Sequence, residues 1–494
     1  MGPAGLEMES LVLTRLLAAA HLALYGWALW ATRSPVMTVF HGFLAVESLA
    51  FGVRPLLAAA EGGYTLYPAT AAGWAGYNRG LAYQWLFNAA VVAAYLGTWR
   101  GTAGRRPRRE AGGAPEGEER PAIRGPAGIR ASGTDPAVAA GFLLSLLLGV
   151  AALGAMHVLS QGAWLPGRRE AAITAVVPHG KLLFPLAVIP LGACLPLAYL
   201  LLAGGPQPRP RPWRVLAVVG GTALAGVLLA LLYQRGYLLN GLLVAVFLHD
   251  RLRGVDYPRA AVAVLAVLVL LGGLRPLASS LAAVAAGVGS GGADSGQRVE
   301  ESAEVESGAE RGTARRGPSP VRAVLLYGAN FDHADVWPVA LDYAAQHGWL
   351  RGATLAAVPA RFLAPPARQQ AGLRTAVDRL NEYYWRDFYW RTRFGFNVSL
   401  PQELYLNLGA WPLPVAGALP GLLTALCDRW LWGRRHLGVA FVYAATAAFA
   451  TGGFVKEPGA VLQWSLAYLS LGTGVQAMAR RLGRVGAGGG GTTA

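Results

Sequence analysis

Residues 136–158 read PAVAAGFLLSLLLGVAALGAMHV, a run without Asp, Glu, Lys or Arg. At ~1.5 Å rise per residue, a helix of this length crosses a ~30 Å hydrocarbon core. Backbone N–H and C=O groups in lipid find no water, so the run must pair them internally as a helix. Gly141, Gly149 and Gly154, with the alanines between them, suit close helix contacts in a bilayer. Working outward, similar runs recur, giving about eleven candidate spans by their unbroken apolar length. They cover 10–31, 36–60, 79–99, 136–158, 181–203, 214–233, 235–250, 259–282, 403–427, 437–454 and 458–479. Only Gln234-Arg235-Gly236 separates the sixth from the seventh. The expected class is all-α, a polytopic helical membrane protein.

Composition agrees. Hydrophobic residues make up 54% of the 494-residue chain and charged residues only 14%, and mean hydropathy is +0.37. Soluble domains carry roughly a quarter charged residues. The net charge is +16. It is almost all arginine, Lys181 and Lys456 being the only lysines. A pI near 10 can mark nucleic-acid binding. Here the charge lies between hydrophobic spans, so no nucleic-acid partner is expected. Cys194 and Cys427 lie in or beside spans and offer neither a disulfide framework nor metal-site spacing. The first apolar run is long and lacks a basic leader, so it reads as a span and not as a cleavable signal.

Arginine sets the expected orientation. It crowds the 100–135 segment, the 204–214 loop, residues 251–259, the 428–436 loop and the tail at 480–494. These are alternate connections, so all should face the cytoplasm. The N-terminus is then outside and the C-terminus inside, in a multi-pass protein of the cell membrane. Segment 100–130, rich in Gly, Pro, Glu and Arg, reads as a disordered determinant of topology that touches anionic lipid.

The same parity puts residues 283–402 outside. Thus 1–282 hold the first eight spans, 403–479 the last three, and 480–494 form a cytoplasmic tail. Within the outer connection, 284–320 read as a flexible linker and 321–402 as a folded substrate loop with short helices at the membrane mouth. Long structured loops on helical scaffolds commonly carry function. No internal repeat of the inverted-repeat transporter kind is visible.

Several residues suit chemistry. Ser399 followed by Gln402 fits a capping box, and Pro401 is tolerated in a first helical turn. Glu403 and Asn407, four apart, share one helix face. A first-turn Glu complements the helix dipole whatever else it does, whereas Asn407 lies deeper in an apolar span. Arg235 and Arg275 sit at the outer ends of spans, where a charge needs a partner, a substrate or a snorkelling path. Arg168 and Arg169 run against the positive-inside trend and suggest an outer anionic ligand; His179 and Lys181 follow them. Asp332, His333 and Asp335 are close enough to bind a metal, but without a further His or Cys cluster a polar or acid–base role fits better. Arg386, Arg391 and Arg393 interleave with Tyr383, Tyr384, Trp385, Phe388, Tyr389 and Trp390. Rings that stack on sugars with guanidinium forks that grip phosphate suit a sugar-phosphate ligand. An interfacial aromatic belt with snorkelling arginines fits equally.

Phe396-Asn-Val-Ser-Leu-Pro-Gln-Glu403-Leu-Tyr405-Leu-Asn407-Leu-Gly409 resembles the "GE-x-Y-x-N-F-G" signature of Wzy-type O-antigen and oligosaccharide repeat-unit polymerases, GT-C-like membrane glycosyltransferases. Gln234-Arg235-Gly236 resembles that family's "S-R-G" helix start. Asn330-Phe-Asp332, Gly352-Ala-Thr and Pro359-Ala-Arg361-Phe-Leu-Ala-Pro365 resemble its outer loop, in the same order. Gln402 departs from the family's Gly, Leu408 from its Phe and Asn330 from its Arg. Ala367-Arg368 stands where a Lys-Pro is common.

The resemblance implies glycosyl transfer between polyprenyl-diphosphate-linked glycans, one the donor and one the acceptor; the sequence offers no convincing metal cluster, so no metal or other cofactor is expected. A diphosphate leaving group gains negative charge in the transition state and needs cations. Arg235, Arg361 and Arg168 or Arg169 are the expected clamp, with Arg275 and Arg393 further substrate contacts. A sugar hydroxyl nucleophile needs a general base. Glu403 is the first candidate, and Asp332 or His333 the second. Tyr405 and Asn407 would orient sugar hydroxyls or the carboxylate. Membrane lipid and a chain-length regulator are the other expected partners. Ligation of a glycan to another acceptor and transport of a lipid-linked substrate are the competing functions.

Overall fold

The computed structural model describes residues 3–32, 38–61, 73–103, 136–160, 180–203, 212–232, most of 241–249, 333–359, 370–385, 397–433 and a few residues near 477–481. Among these, every regular element is helical and no strand occurs. The long helices are α1 (Pro3–Thr32), α2 (Val39–Glu47), α3 (Arg54–Glu61), α4 (Gly73–Ala103), α5 (Pro136–Leu159), α6 (Gly180–Ala203) and α7 (Pro212–Leu231). A π-helical turn, Ser48–Val53, joins α2 to α3, so the two form one continuous rod. Four short helices follow: α8 (His333–His347), α9 (Ala353–Ala356), α10 (Ala376–Trp385) and α11 (Leu400–Leu408). The long α12 (Leu413–Gly433) comes last among them.

Five described helical stretches are long and apolar enough to cross a membrane: Met8–Thr32, Val39–Ala60, Val138–Leu159, Leu183–Leu202 and Pro212–Leu229. Their outer faces carry bare apolar side chains, such as Leu16 at 63% and Leu216 at 73% exposure. In water such surface would drive association; in lipid it meets its own solvent. The expected spans at 259–282, 437–454 and 458–479 lie outside the described residues, apart from isolated positions near 477–481, and that at 235–250 is described only in part.

Helix α4 is the hub. It packs on α1, on α12 and on α8, and it carries polar side chains inward at the cost of its own hydropathy. Asn88 donates to the Glu47 carboxylate (2.7 Å) and to the Tyr25 hydroxyl (2.6 Å), and Tyr25 meets His21 Nδ1 at 2.9 Å. Asn78 bonds Thr14 (2.6 Å) and the Ser10 carbonyl (2.8 Å). Buried polar groups without such partners are expensive.

Helix α12 joins this bundle through small residues. A Cβ on Gly417 or Gly421 would collide with the backbone carbonyls of Phe87 and Val91 on α4. Lower on α12, Asp428 is 2% exposed. Its carboxylate accepts from the first amides of α2, Val39 N (2.7 Å) and Phe40 N (3.2 Å), and from the Tyr95 hydroxyl (3.0 Å). Those amides have no intrahelical acceptor, so Asp428 caps α2 from a distant helix. Asp428→Ala should cost ~1.5–3 kcal/mol, the range for hydrogen bonds to a charged group. The check is a fall in the melting midpoint in detergent, with Asp428→Asn losing less.

The span expected over 403–427 is two helices. Gly409 has φ +84°, closed to most side chains, and its N–H bonds the Tyr405 carbonyl at 2.8 Å, ending α11. Pro412 then precedes the first turn of α12.

Candidate functional site

Helix α8 is a wedge with two buried faces. Ala334, Trp337, Leu341 and Ala344 join the core of the long helices. Val336, Val339, Ala340 and Tyr343 form a second core with Ala376, Leu380, Val398 and Leu406. Helix α8, within the stretch expected to hold short helices, packs into the bundle. Gly80 on α4 makes the room, since a Cβ there would overlap Trp337. The Trp337 indole points at Gln84, with Nε1 3.4 Å from its Oε1.

An ion pair fastens the wedge. Arg54 and Asp335 meet at 2.6 Å, with side chains 0% and 2% exposed. Burial pushes the Asp335 carboxyl above the ordinary aspartate value, and the Arg54 charge and hydrogen bond, with one from Tyr77, pull it back. Asp335, grouped by sequence with Asp332 and His333, is thus committed to a guanidinium. The described residues include no group of three or more His, Cys, Asp and Glu suited to a metal.

On the other side of α8 lie α9 and α11. Residues 348–351 run beside α11, with Leu350 N bonding the Leu406 carbonyl (2.8 Å) and Arg351 N the Asn407 carbonyl (2.9 Å). That alignment delivers Thr354 to the two α11 residues expected to share a face. Asn407 Nδ2 donates to Thr354 Oγ1 (2.6 Å) and to the Glu403 carbonyl (2.7 Å). Thr354 Oγ1 in turn donates to Glu403 Oε1 (2.9 Å), and Thr354 N to Asn407 Oδ1 (3.3 Å). The amide, hydroxyl and carboxylate form a directed chain ending on Glu403. All three side chains are almost fully buried.

The Gln402 half of the expected capping box closes, with Ser399 N donating to its Oε1 at 2.8 Å. Gln402 Nε2 also reaches the His333 carbonyl at 2.6 Å, tying α11 to the start of α8. A glycine at 402 could make neither bond. His333 is buried at that junction. Tyr405 faces the opposite way from Thr354's partners, stacking on Tyr83 (5.3 Å) and meeting Trp337 (5.7 Å) and Trp349 (5.6 Å).

Glu403, Asn407, Tyr405 and His333 are therefore brought together at the α8–α9–α11 junction. Asp332, Arg168, Arg169, Arg235, Arg275, Arg361 and Arg393 lie outside the described residues. Sequence reasoning did not single out Arg54, Trp337 or the hydroxyl of Thr354. Arg54 carried a signal, a charge inside an apolar span. Thr354 carried none of its own beyond the short Gly352-Ala-Thr motif. No protein-family model, curated protein or solved structure matches the chain.

Proposed function

We propose that this chain is a membrane glycosyltransferase that polymerises polyprenyl-diphosphate-linked oligosaccharide repeat units. The observation that carries the reading is the meeting of two separated motifs of the resemblance. Gly352-Ala-Thr354 and Glu403-Leu-Tyr405-Leu-Asn407 touch through the Thr354 hydroxyl. Motifs that resemble one family by chance have no reason to bond each other.

The proposed topology has about eleven spans in the cell membrane, with the 333–408 helices on the outer side. Its support is internal consistency. Asp428, near the basic 428–436 connection, meets the start of α2 and Tyr95, which precedes the basic 100–135 segment. The start of α3, the first turns of α4 and helix α8 meet away from that end.

In this reading Glu403 takes the proton of an attacking sugar hydroxyl, Thr354 holds its carboxylate, and Asn407 orients Thr354. The arginine clamp of Arg235, Arg361 and Arg168 or Arg169 meets the diphosphate, and no metal is required. Burial of Glu403 means that the α9–α11 junction opens to admit the acceptor; catalytic contacts often tighten only in the substrate complex.

The test uses purified protein and lipid-linked repeat unit. A polymerase builds a ladder of products, a ligase transfers a glycan once, and a transporter only moves label across vesicles. Glu403→Gln keeps an acceptor for Thr354 but removes the base. It should bind lipid-linked substrate as wild type does and lose at least about 100-fold in turnover. Unchanged turnover would move the base elsewhere.

A further inference from the structure

We infer that Trp349, Tyr83, Arg79 and Arg351 form a carbohydrate-binding lip, on which a pyranose ring stacks against the Trp349 indole while guanidinium groups hold its oxygens. The inference rests on the glycan reading of the neighbouring site and names where the sugar sits.

Trp349 is the unusual residue. Its side chain is 47% exposed, yet it is held in place. The ring lies over Gly409, where any Cβ would overlap it, and its centroid is 5.6 Å from that of Tyr405. The backbone beneath is under strain. Gly348 and Gly352 take φ +72° and +86°, and Arg351, which has a Cβ, takes +49°. A non-glycine in that region costs of order 1–3 kcal/mol and persists where surrounding contacts enforce it. Here the Leu350 and Arg351 amides enforce it by bonding the carbonyls of Leu406 and Asn407. Strain and a glycine seat thus hold a large aromatic surface at the edge of the candidate site.

The chemistry beside it fits a sugar. Tyr83 is half-buried and stacks on Tyr405 at 5.3 Å. Arg79, one turn earlier on the same face of α4 as Tyr83, is exposed. Arg351 is exposed two residues from Trp349, directly over the Asn407 backbone. Flat, rigid rings offer contact area at small entropic cost, and guanidinium forks match paired oxygens. A lipid-belt tryptophan needs no glycine seat.

The probe is the reducing oligosaccharide released by mild acid from the lipid-diphosphate pool of cells that carry the protein. Binding to the full chain in detergent is measured by calorimetry, and ladder synthesis from the intact lipid-linked unit is followed separately. Trp349→Ala should weaken oligosaccharide binding by at least about tenfold, ~1.4 kcal/mol. Trp349→Phe should stay within about threefold and Arg79→Gln should fall between them. The phenylalanine variant and exposed Arg79 guard against a folding artefact, checked by elution profile and melting midpoint. Wild-type affinity in Trp349→Ala overturns the lip, as does a wild-type protein that builds the ladder but does not bind the probe. Trp349-dependent binding without any ladder keeps the lip and removes the polymerase reading. Absence of both overturns both.

Discussion

Arg54→Met should lower the stability of the protein by ~3–5 kcal/mol, the cost of stranding one partner of a buried ion pair. Arg54 and Asp335 are almost fully enclosed at 2.6 Å, so loss of the guanidinium leaves a buried carboxyl without the cation it faces, with the Tyr77 bond remaining. Removing both charges should hurt far less, because apolar replacements of similar volume are often neutral for such pairs. Arg54→Met with Asp335→Leu should therefore recover most of what Arg54→Met loses. The measurement is the melting midpoint of the full chain in detergent at one scan rate, since membrane proteins often unfold irreversibly. Equal losses in the single and double variants would mean that the pair is not what fastens α8. The consequence reaches beyond stability. Helix α8 begins at His333, whose carbonyl holds Gln402 beside Glu403. A loosened wedge should lower turnover even at temperatures where the variant stays folded.

The long helices were legible because lipid simplifies the problem. A run such as 136–158 has one outcome, and the structure gives α5 as Pro136–Leu159. The run at 181–203 becomes α6 despite Pro185, Pro190 and Pro196 inside it. The Glu403–Asn407 face was legible for the same local reason, helical spacing. Errors arose where an apolar pattern hid punctuation or where a partner was remote. The 403–427 run looked continuous, but the left-handed Gly409 breaks it. Asp428 reads as the start of a basic loop; it is interior because amides 389 positions earlier need an acceptor. Arg54 and Asp335 are 281 positions apart, and no spacing rule links them. The Arg54 end was nonetheless marked by its cost: a charge in an apolar helix implies a partner. Thr354 is the opposite case. A threonine is unremarkable by itself, and only the alignment of residues 348–351 along α11 gives its hydroxyl a role.

Gly421→Leu should be more damaging than removal of any single polar bond on α12, costing about 3 kcal/mol or more. The argument turns on what the new side chain meets. A Cβ at Gly421 runs into the Val91 backbone carbonyl, and one at Gly417 into that of Phe87. A flexible side chain can rotate away; a carbonyl inside a helix moves only with the helix. α12 must then lift from α4, and in lipid no hydrophobic effect pulls the two back together, because bilayer tails solvate apolar surface as well as a neighbour does. Packing and hydrogen bonds are what remain, and lifting α12 withdraws both. Asp428 lies two turns further along the same helix, so its bonds to Val39, Phe40 and Tyr95 go with it. The loss in Gly421→Leu should accordingly include most of that in Asp428→Ala, and the two together should cost clearly less than their sum. Leu419, 59% exposed on the outer face of the same helix, is the control: Leu419→Ala should change the midpoint by less than ~0.5 kcal/mol equivalent. Additive losses in the double variant would show that α12 keeps its Asp428 cap while its glycines are displaced, and the rigid-helix account of this contact would have to be abandoned.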